Sequence, residues 1–97
     1  MALHRFPVLA DATMRDGWAG LYAVSPDHHA IIGRVPPLTN LFVISGFSGH
    51  GAMQCPGAAL CLAELIVEGK SRTVDISPLA ITRFTPGPSP LIETTVI

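Results

Sequence analysis

The segment Leu41-Phe42-Val43-Ile44-Ser45-Gly46-Phe47-Ser48-Gly49-His50-Gly51-Ala52-Met53 constrains the fold most. An apolar run of strand character enters a turn holding three glycines, and an apolar helix follows. Glycine tolerates positive φ and carries no side chain to keep a neighbour at a distance. A helix start leaves backbone N–H groups unpaired, and these favour negative charge together with the helix dipole. Such a turn either faces an anionic group or serves only the geometry of its own chain. The residues leave both readings open. The spacing of Gly46, Gly49 and Gly51 is G-x-x-G-x-G, which differs from the dinucleotide fingerprint G-x-G-x-x-G. No G-K-[ST] string follows the glycines of this turn, so the turn is not a P-loop.

Size and charge sharpen that constraint. At 97 residues the ceiling is one small domain. Apolar residues make up 48%, charged residues 13%, and the formal net charge is -1. This composition excludes a disordered chain and gives no basis for nucleic-acid binding. Globular chains average about 25% charged residues. So little charge on so small a chain implies apolar surface to be buried by another copy, another subunit or another domain. Cys55 and Cys61 fall on opposed faces of the expected helix, too far apart to bridge, and read as two small buried hydrophobes. The N-terminus lacks the apolar run of a signal peptide, and Glu64 interrupts the longest apolar stretch. A cytoplasmic protein without a membrane span is expected.

Residues 1–14 are expected to hold a short helix, with Pro7 in its first turn. Residues 17–24 read as a strand placing Trp18, Tyr22 and Val24 on one face. Ser25-Pro26-Asp27 is a turn signal, and Ala30 to Gly33 a second short strand. Leu41 to Ser45 is a continuous apolar strand, which suits a sheet covered on both faces. A helix is expected from Gly51 or Ala52 to Glu68, disturbed at its start by Pro56 and Gly57 and capped by Gly69. Ser77, as a cap, opens a further helical turn or two reaching Phe84. From Thr85 the tail alternates proline with small residues and reads as extended or flexible. The class is α+β, with a partial sheet of about three strands and one long packed helix.

Among the titratable groups, His50 lies inside the glycine turn. It serves as an acid, a base or a ligand donor, or it braces the loop; no carboxylate nearby in sequence orients it. His28 and His29 read as solvated turn residues, and Trp18 and Tyr22 as core aromatics. Asp27 reads as a turn or cap residue, and Arg83 as a structural ion-pair partner. The four histidines show no metal-ligand spacing. A hydrolase is not indicated, because no Gly-x-Ser-x-Gly elbow exists.

Taken in order, Gly17-Trp18-Ala19-Gly20, Ser25-Pro26-Asp27, Ile32-Gly33, Gly46-Phe47-Ser48-Gly49-His50-Gly51, Asp75-Ile76-Ser77 and Arg83-Phe84 resemble a known series. They resemble the C-terminal end of FAD-dependent amine oxidoreductases of the D-amino-acid-oxidase-like family. Sarcosine oxidases and the beta subunits of their heteromeric relatives are the nearest likeness. The resemblance covers residues 6–84 and makes 1–84 a C-terminal segment, with 85–97 as its tail. It implies part of a two-domain fold that binds FAD and substrate. It also implies that Gly46, Gly49, His50, Gly51, Ala52 and Met53 contact the flavin ring, with Tyr22 and Met53 on its substrate side. Family members that bind flavin covalently carry a cysteine where this chain has Gly20, so non-covalent FAD is implied. Some members carry a lysine at the position of Met53; an uncharged thioether there points to a dehydrogenase-type or larger-substrate member. The family's G-x-G-x-x-G unit is absent from this sequence. The expected partner is therefore an N-terminal FAD-binding region or a companion subunit, and the isolated chain is expected to be inactive. The alternative is a free-standing module that self-associates without catalysis.

Overall fold

The computed structural model describes residues 2–85. Helix α1, Ala2–Arg5, is followed by a 3-10 segment, Pro7–Asp11. Pro7 has no N–H with which to continue a helical ladder, so the helix expected over residues 1–14 divides in front of it. Residues 12–23 form no regular element. The strand expected over 17–24 is reduced to one antiparallel bridge between Val24 and Phe47. A strand needs a neighbouring edge for its backbone groups, and no strand flanks residues 17–23 among the described residues. Trp18, 92% exposed, and Tyr22, 53% exposed, accordingly lie outside the core.

Among the described residues the sheet has two strands rather than about three. Strand β1, Ile31–Arg34, pairs antiparallel with β2, Phe42–Ser45, in the register Ile32 opposite Ile44 and Gly33 opposite Val43. The hairpin loop is closed by the Val35 N–H donating to the Leu41 carbonyl at 3.0 Å. Gly33 does not end β1; with φ +144° it continues the strand to Arg34. Strand β2, expected to be covered on both faces, is open on each at its end, with the adjacent residues Ile44 and Ser45 exposed.

Helix α2, Gly51–Glu68, runs unbroken through Pro56. The Ala52 carbonyl, which Pro56 cannot serve with an N–H, lies 3.8 Å from Cys55 Sγ. Gly69 ends the helix in the left-handed region at φ +80°, and its N–H donates to the Leu65 carbonyl at 3.0 Å. Beyond the cap, Glu64 gathers the chain back onto α2. Its carboxylate accepts the Arg72 N–H at 2.7 Å, the Thr73 N–H at 3.0 Å, the Thr73 hydroxyl at 2.7 Å and the Ser71 hydroxyl at 3.1 Å. These bonds, the Thr73 hydroxyl foremost, lower its pKa from 4.5 to about 2.

The helical turns expected over Ser77–Phe84 are two 3-10 turns, Ser77–Leu79 and Ile81–Phe84. Ser77 is not their cap. Asp75 accepts the Ser77 N–H at 3.0 Å, and this backbone bond lowers the pKa of Asp75. Pro-rich residues 86–97 of the expected tail lie outside the described residues.

The core sits between β1, α2 and these turns. Ala30, Ile32, Cys61 and Ile76 are buried, with Phe47, Ala58, Leu62, Leu65 and Leu79 packed around them. Cys55 is exposed, not buried as expected. Helix α2 also turns Met53, Leu60, Ile66 and Val67 away from this core, all at least half exposed. A helix apolar on both sides belongs between two layers, and only one is present among the described residues. The Cα radius of gyration, 17.6 Å, exceeds the ~13 Å of a compact domain of this length.

Two outcomes are expected. Replacing Gly69 by alanine forces a Cβ into the left-handed region and lowers stability by about 1–2 kcal/mol in urea denaturation. Because the folded pKa of Glu64 is depressed, its contribution is fully present above pH 4.5 and fades as pH falls toward 2. Glu64→Gln is expected to flatten a plot of unfolding midpoint against pH across that window.

Candidate functional site

The turn between β2 and α2 is built on left-handed backbone. Gly46 has φ +68°, Ser48 φ +51° and Gly49 φ +91°. Ser48 is the exception in needing support, because a residue with a side chain is disfavoured there. Its side chain is 1% exposed. The Ser48 hydroxyl donates to the Gly46 carbonyl at 3.2 Å and accepts the Ser25 N–H at 3.3 Å. The Ser48 N–H donates to the Ala23 carbonyl at 3.0 Å. The turn is thus tied both to itself and to the segment entering β1.

At the start of α2, the His50 carbonyl accepts the N–H groups of Met53 and Gln54 at 3.1 Å, while the His50 N–H donates to Phe47. The N–H groups of Gly49, Gly51 and Ala52 meet no acceptor among the described residues. Those three residues line one open cavity of about 540 Å³ with Tyr22, Gly46 and Ser48. The packing requires glycine on both flanks of the turn. A Cβ on Gly51 would lie 3.3 Å from Phe47 Cβ, and one on Gly46 would lie 3.3 Å from Ser25 Cβ.

Of the residues expected at a flavin, the structure brings Gly46, Gly49, Gly51, Ala52 and Tyr22 to this cavity. His50 and Met53 are not among its lining residues. His50 is half-buried at the helix start, and Met53 is 72% exposed on the outer side of α2. No cluster of metal-ligating residues occurs among the described residues. No helix among them is long and apolar enough to cross a membrane.

Behind the turn lies a polar network that sequence reasoning located only in part. Arg83 and Asp27 form a buried two-pronged pair, with Nε to Oδ2 at 2.7 Å and Nη2 to Oδ1 at 3.0 Å. Their side chains are 6% and 2% exposed. Arg83 also donates to the carbonyls of His29 at 3.0 Å and Leu79 at 2.6 Å. Asp27 Oδ1 accepts the His29 N–H at 3.2 Å, as an Asx turn requires. The Ser25 hydroxyl donates to the His29 carbonyl at 2.6 Å. His28 and His29 are half-buried in this turn rather than solvated, with His28 at φ +63°. Ser25-Pro26-Asp27 announces the turn in the sequence. Nothing local announces the burial of Ser48.

An apolar strand, a glycine turn with unpaired donors and a helix N-terminus together form a surface whose backbone N–H groups favour negative charge. A model of the FAD-dependent oxidoreductase (DAO) family matches residues 1–65. The FAD-dependent oxidoreductase domain-containing protein 1 homolog of Drosophila melanogaster is 41% identical over 82 residues, covering 84% of this chain and 16% of that protein. FAD-dependent oxidoreductase domain-containing protein 1 of Xenopus laevis is 35% identical over 95 residues, 97% of this chain and 19% of its own length. Monomeric sarcosine oxidase of Arthrobacter sp. is 34% identical over 74 residues, 76% of this chain and 19% of that protein. No solved structure gives a significant match. The chain belongs to the FAD-dependent oxidoreductase family, and it spans less than a fifth of the length of these relatives.

Gly46→Ala is expected to lower stability by about 1–3 kcal/mol, since it adds left-handed strain to a tight contact with Ser25. Urea denaturation followed by Trp18 fluorescence is blind to it, as Trp18 is exposed; far-UV circular dichroism of α2 is the measurement to make.

Proposed function

We propose that this chain supplies the flavin-facing turn of an FAD-dependent oxidoreductase that oxidises a small amine, amino acid or imino acid. The observation carrying this reading is the set of unpaired N–H groups on Gly49, Gly51 and Ala52 beside an open cavity. Donors at a helix start, in a turn without projecting side chains, fit the pyrimidine edge of a flavin, which carries negative charge when reduced. Gly46, Gly49, Gly51 and Ala52, which line the cavity, would hold that edge and Tyr22 would border the substrate, while His50 and Met53 lie outside the lining. FAD, when bound there, would supply the redox chemistry, as acceptor of a hydride from the carbon next to the substrate nitrogen. This chain's own share is positioning: three backbone donors fixed in direction, and no carboxylate among the lining residues to oppose an anion. The amine substrate class is supported by the likeness to a sarcosine oxidase. The lining brings no charged side chain to the substrate side, which favours a member that grips its substrate's carboxylate elsewhere or takes a larger substrate.

The partner in this reading is the rest of an FAD-binding fold, in the same polypeptide or as a companion subunit. Two features support it. The sequence holds no G-x-G-x-x-G unit for the ADP half of the cofactor, and α2 presents a second apolar side through Met53, Leu60, Ile66 and Val67.

Flavin fluorescence tests the proposal. FAD mixed with the 97-residue chain alone is expected to keep its fluorescence. FAD mixed with the chain and a co-encoded FAD-binding region is expected to be quenched. Gly51→Val is expected to weaken the quenching complex by about tenfold or more, because a side chain there collides with Phe47 and moves the Gly51 and Ala52 donors away from charge-assisted hydrogen bonds of ~1.5–3 kcal/mol. Quenching that survives both Gly49→Val and Gly51→Val at full strength removes the turn from the site.

A further inference from the structure

We infer that Arg83 is a positioning residue for the glycine turn, acting through Asp27, Ser25 and Ser48 without touching the cavity. Its importance for flavin rests on the function proposed above; its control of the turn does not. The path is continuous in buried polar groups. Arg83 grips both oxygens of Asp27 and the carbonyl of His29. Asp27 Oδ1 and the His29 carbonyl both lie against the Ser25 hydroxyl, at 3.2 and 2.6 Å. The Ser25 N–H then donates to the Ser48 hydroxyl, which itself donates to the Gly46 carbonyl. Ser25 and Ser48 are 3% and 1% exposed, so water cannot replace these partners without opening the structure.

Steric contact runs beside the hydrogen bonds. The Cα of Gly46 packs so closely on Ser25 that an added Cβ would lie 3.3 Å from Ser25 Cβ and 3.6 Å from Ile31 Cγ1. A displacement of Ser25 is therefore passed to the turn directly. On its other flank the turn meets the open cavity and not packed side chains. Movement toward the cavity is the least opposed response when Asp27 or Ser25 shifts. The left-handed φ of Ser48 also needs this external tie, because a non-glycine residue relaxes out of that region when its bonds are lost. Lysine cannot substitute for Arg83, since a single ammonium cannot reach both Asp27 oxygens and the carbonyls of His29 and Leu79 in the same fork.

Amide NMR of the full chain tests the inference without any flavin. Arg83→Lys is expected to shift the amides of Ser25, Gly46, Ser48, Gly49 and Gly51 and to raise their hydrogen exchange roughly tenfold, while Leu62 to Glu68 stay unchanged. Ser48→Gly keeps the left-handed φ but removes the hydroxyl, and in that background Arg83→Lys is expected to shift the turn amides clearly less, through the Ser25–Gly46 contact alone. Three results would overturn the inference: turn shifts of equal size in both backgrounds, changes confined to Asp27 and residues 79–85, or uniform loss of protection through β1, β2 and α2. The last would make Arg83 a support of the whole fold only. Adding FAD and the FAD-binding region separates the two proposals. A coupled turn that gives no flavin response retains the positioning role and removes the flavin assignment.

Discussion

The ion pair of Arg83 and Asp27 is the constraint on which the arrangement depends. Two charges removed from water are destabilising unless geometry and further hydrogen bonds compensate. Here both carboxylate oxygens are met, and the guanidinium reaches three backbone carbonyls besides. Removing one partner from such a pair typically costs about 3–5 kcal/mol, chiefly because the other charge stays buried. The pair joins the last 3-10 turn to the loop before β1, and the face of Phe84 covers the guanidinium at 4.2 Å. Among the described residues, four buried hydrophobic side chains make a thin core. Polar ties therefore carry a larger share of the tertiary order than they do in a domain with a full interior.

Around that tie the chain divides into a part with a core and a part without one. From Ser25 to Phe84 the hairpin, α2 and the 3-10 turns share one interior. Residues 3–24 are exposed throughout, including aromatic and branched apolar side chains that no folded domain leaves in water by preference. The same holds for the outer side of α2 and for Ile44 on β2. These surfaces are continuous with the low charge of the sequence. The chain is patterned for a larger interior than its described residues enclose.

What was legible in the sequence follows the range of the forces involved. Helix α2 and its Gly69 cap rest on local signals and form as expected. The glycine turn, also local, takes the positive φ values its glycines permit. Arg83 and Asp27 were readable as a structural pair candidate and a turn residue, although their meeting across 56 positions was not. The strand expected at 17–24 fails for a non-local reason: alternation can mark a strand, but only a neighbouring edge can make one. Trp18 and Tyr22 were assigned to a core for their size, and the core they fit is not among the described residues. Ser48 escaped notice because a serine between glycines looks like loop filler. Its role depends on Ser25, which arrives from the far end of the hairpin.

The distance in sequence between Asp27 and Arg83 also bears on time. The β1–β2 hairpin closes over a short loop, and α2 needs only its own residues and a surface to lie on. Bringing Arg83 to Asp27 closes a loop of 56 residues, at a chain-entropy cost of roughly 3–4 kcal/mol beyond a constant. Contacts of that span are rewarded only after the shorter ones have formed. The ties that hold the glycine turn to Ala23, Val24 and Ser25 span less than half that distance, so on the positioning role inferred for Arg83 the pair adds the longest-range closure to a turn already anchored by shorter ones.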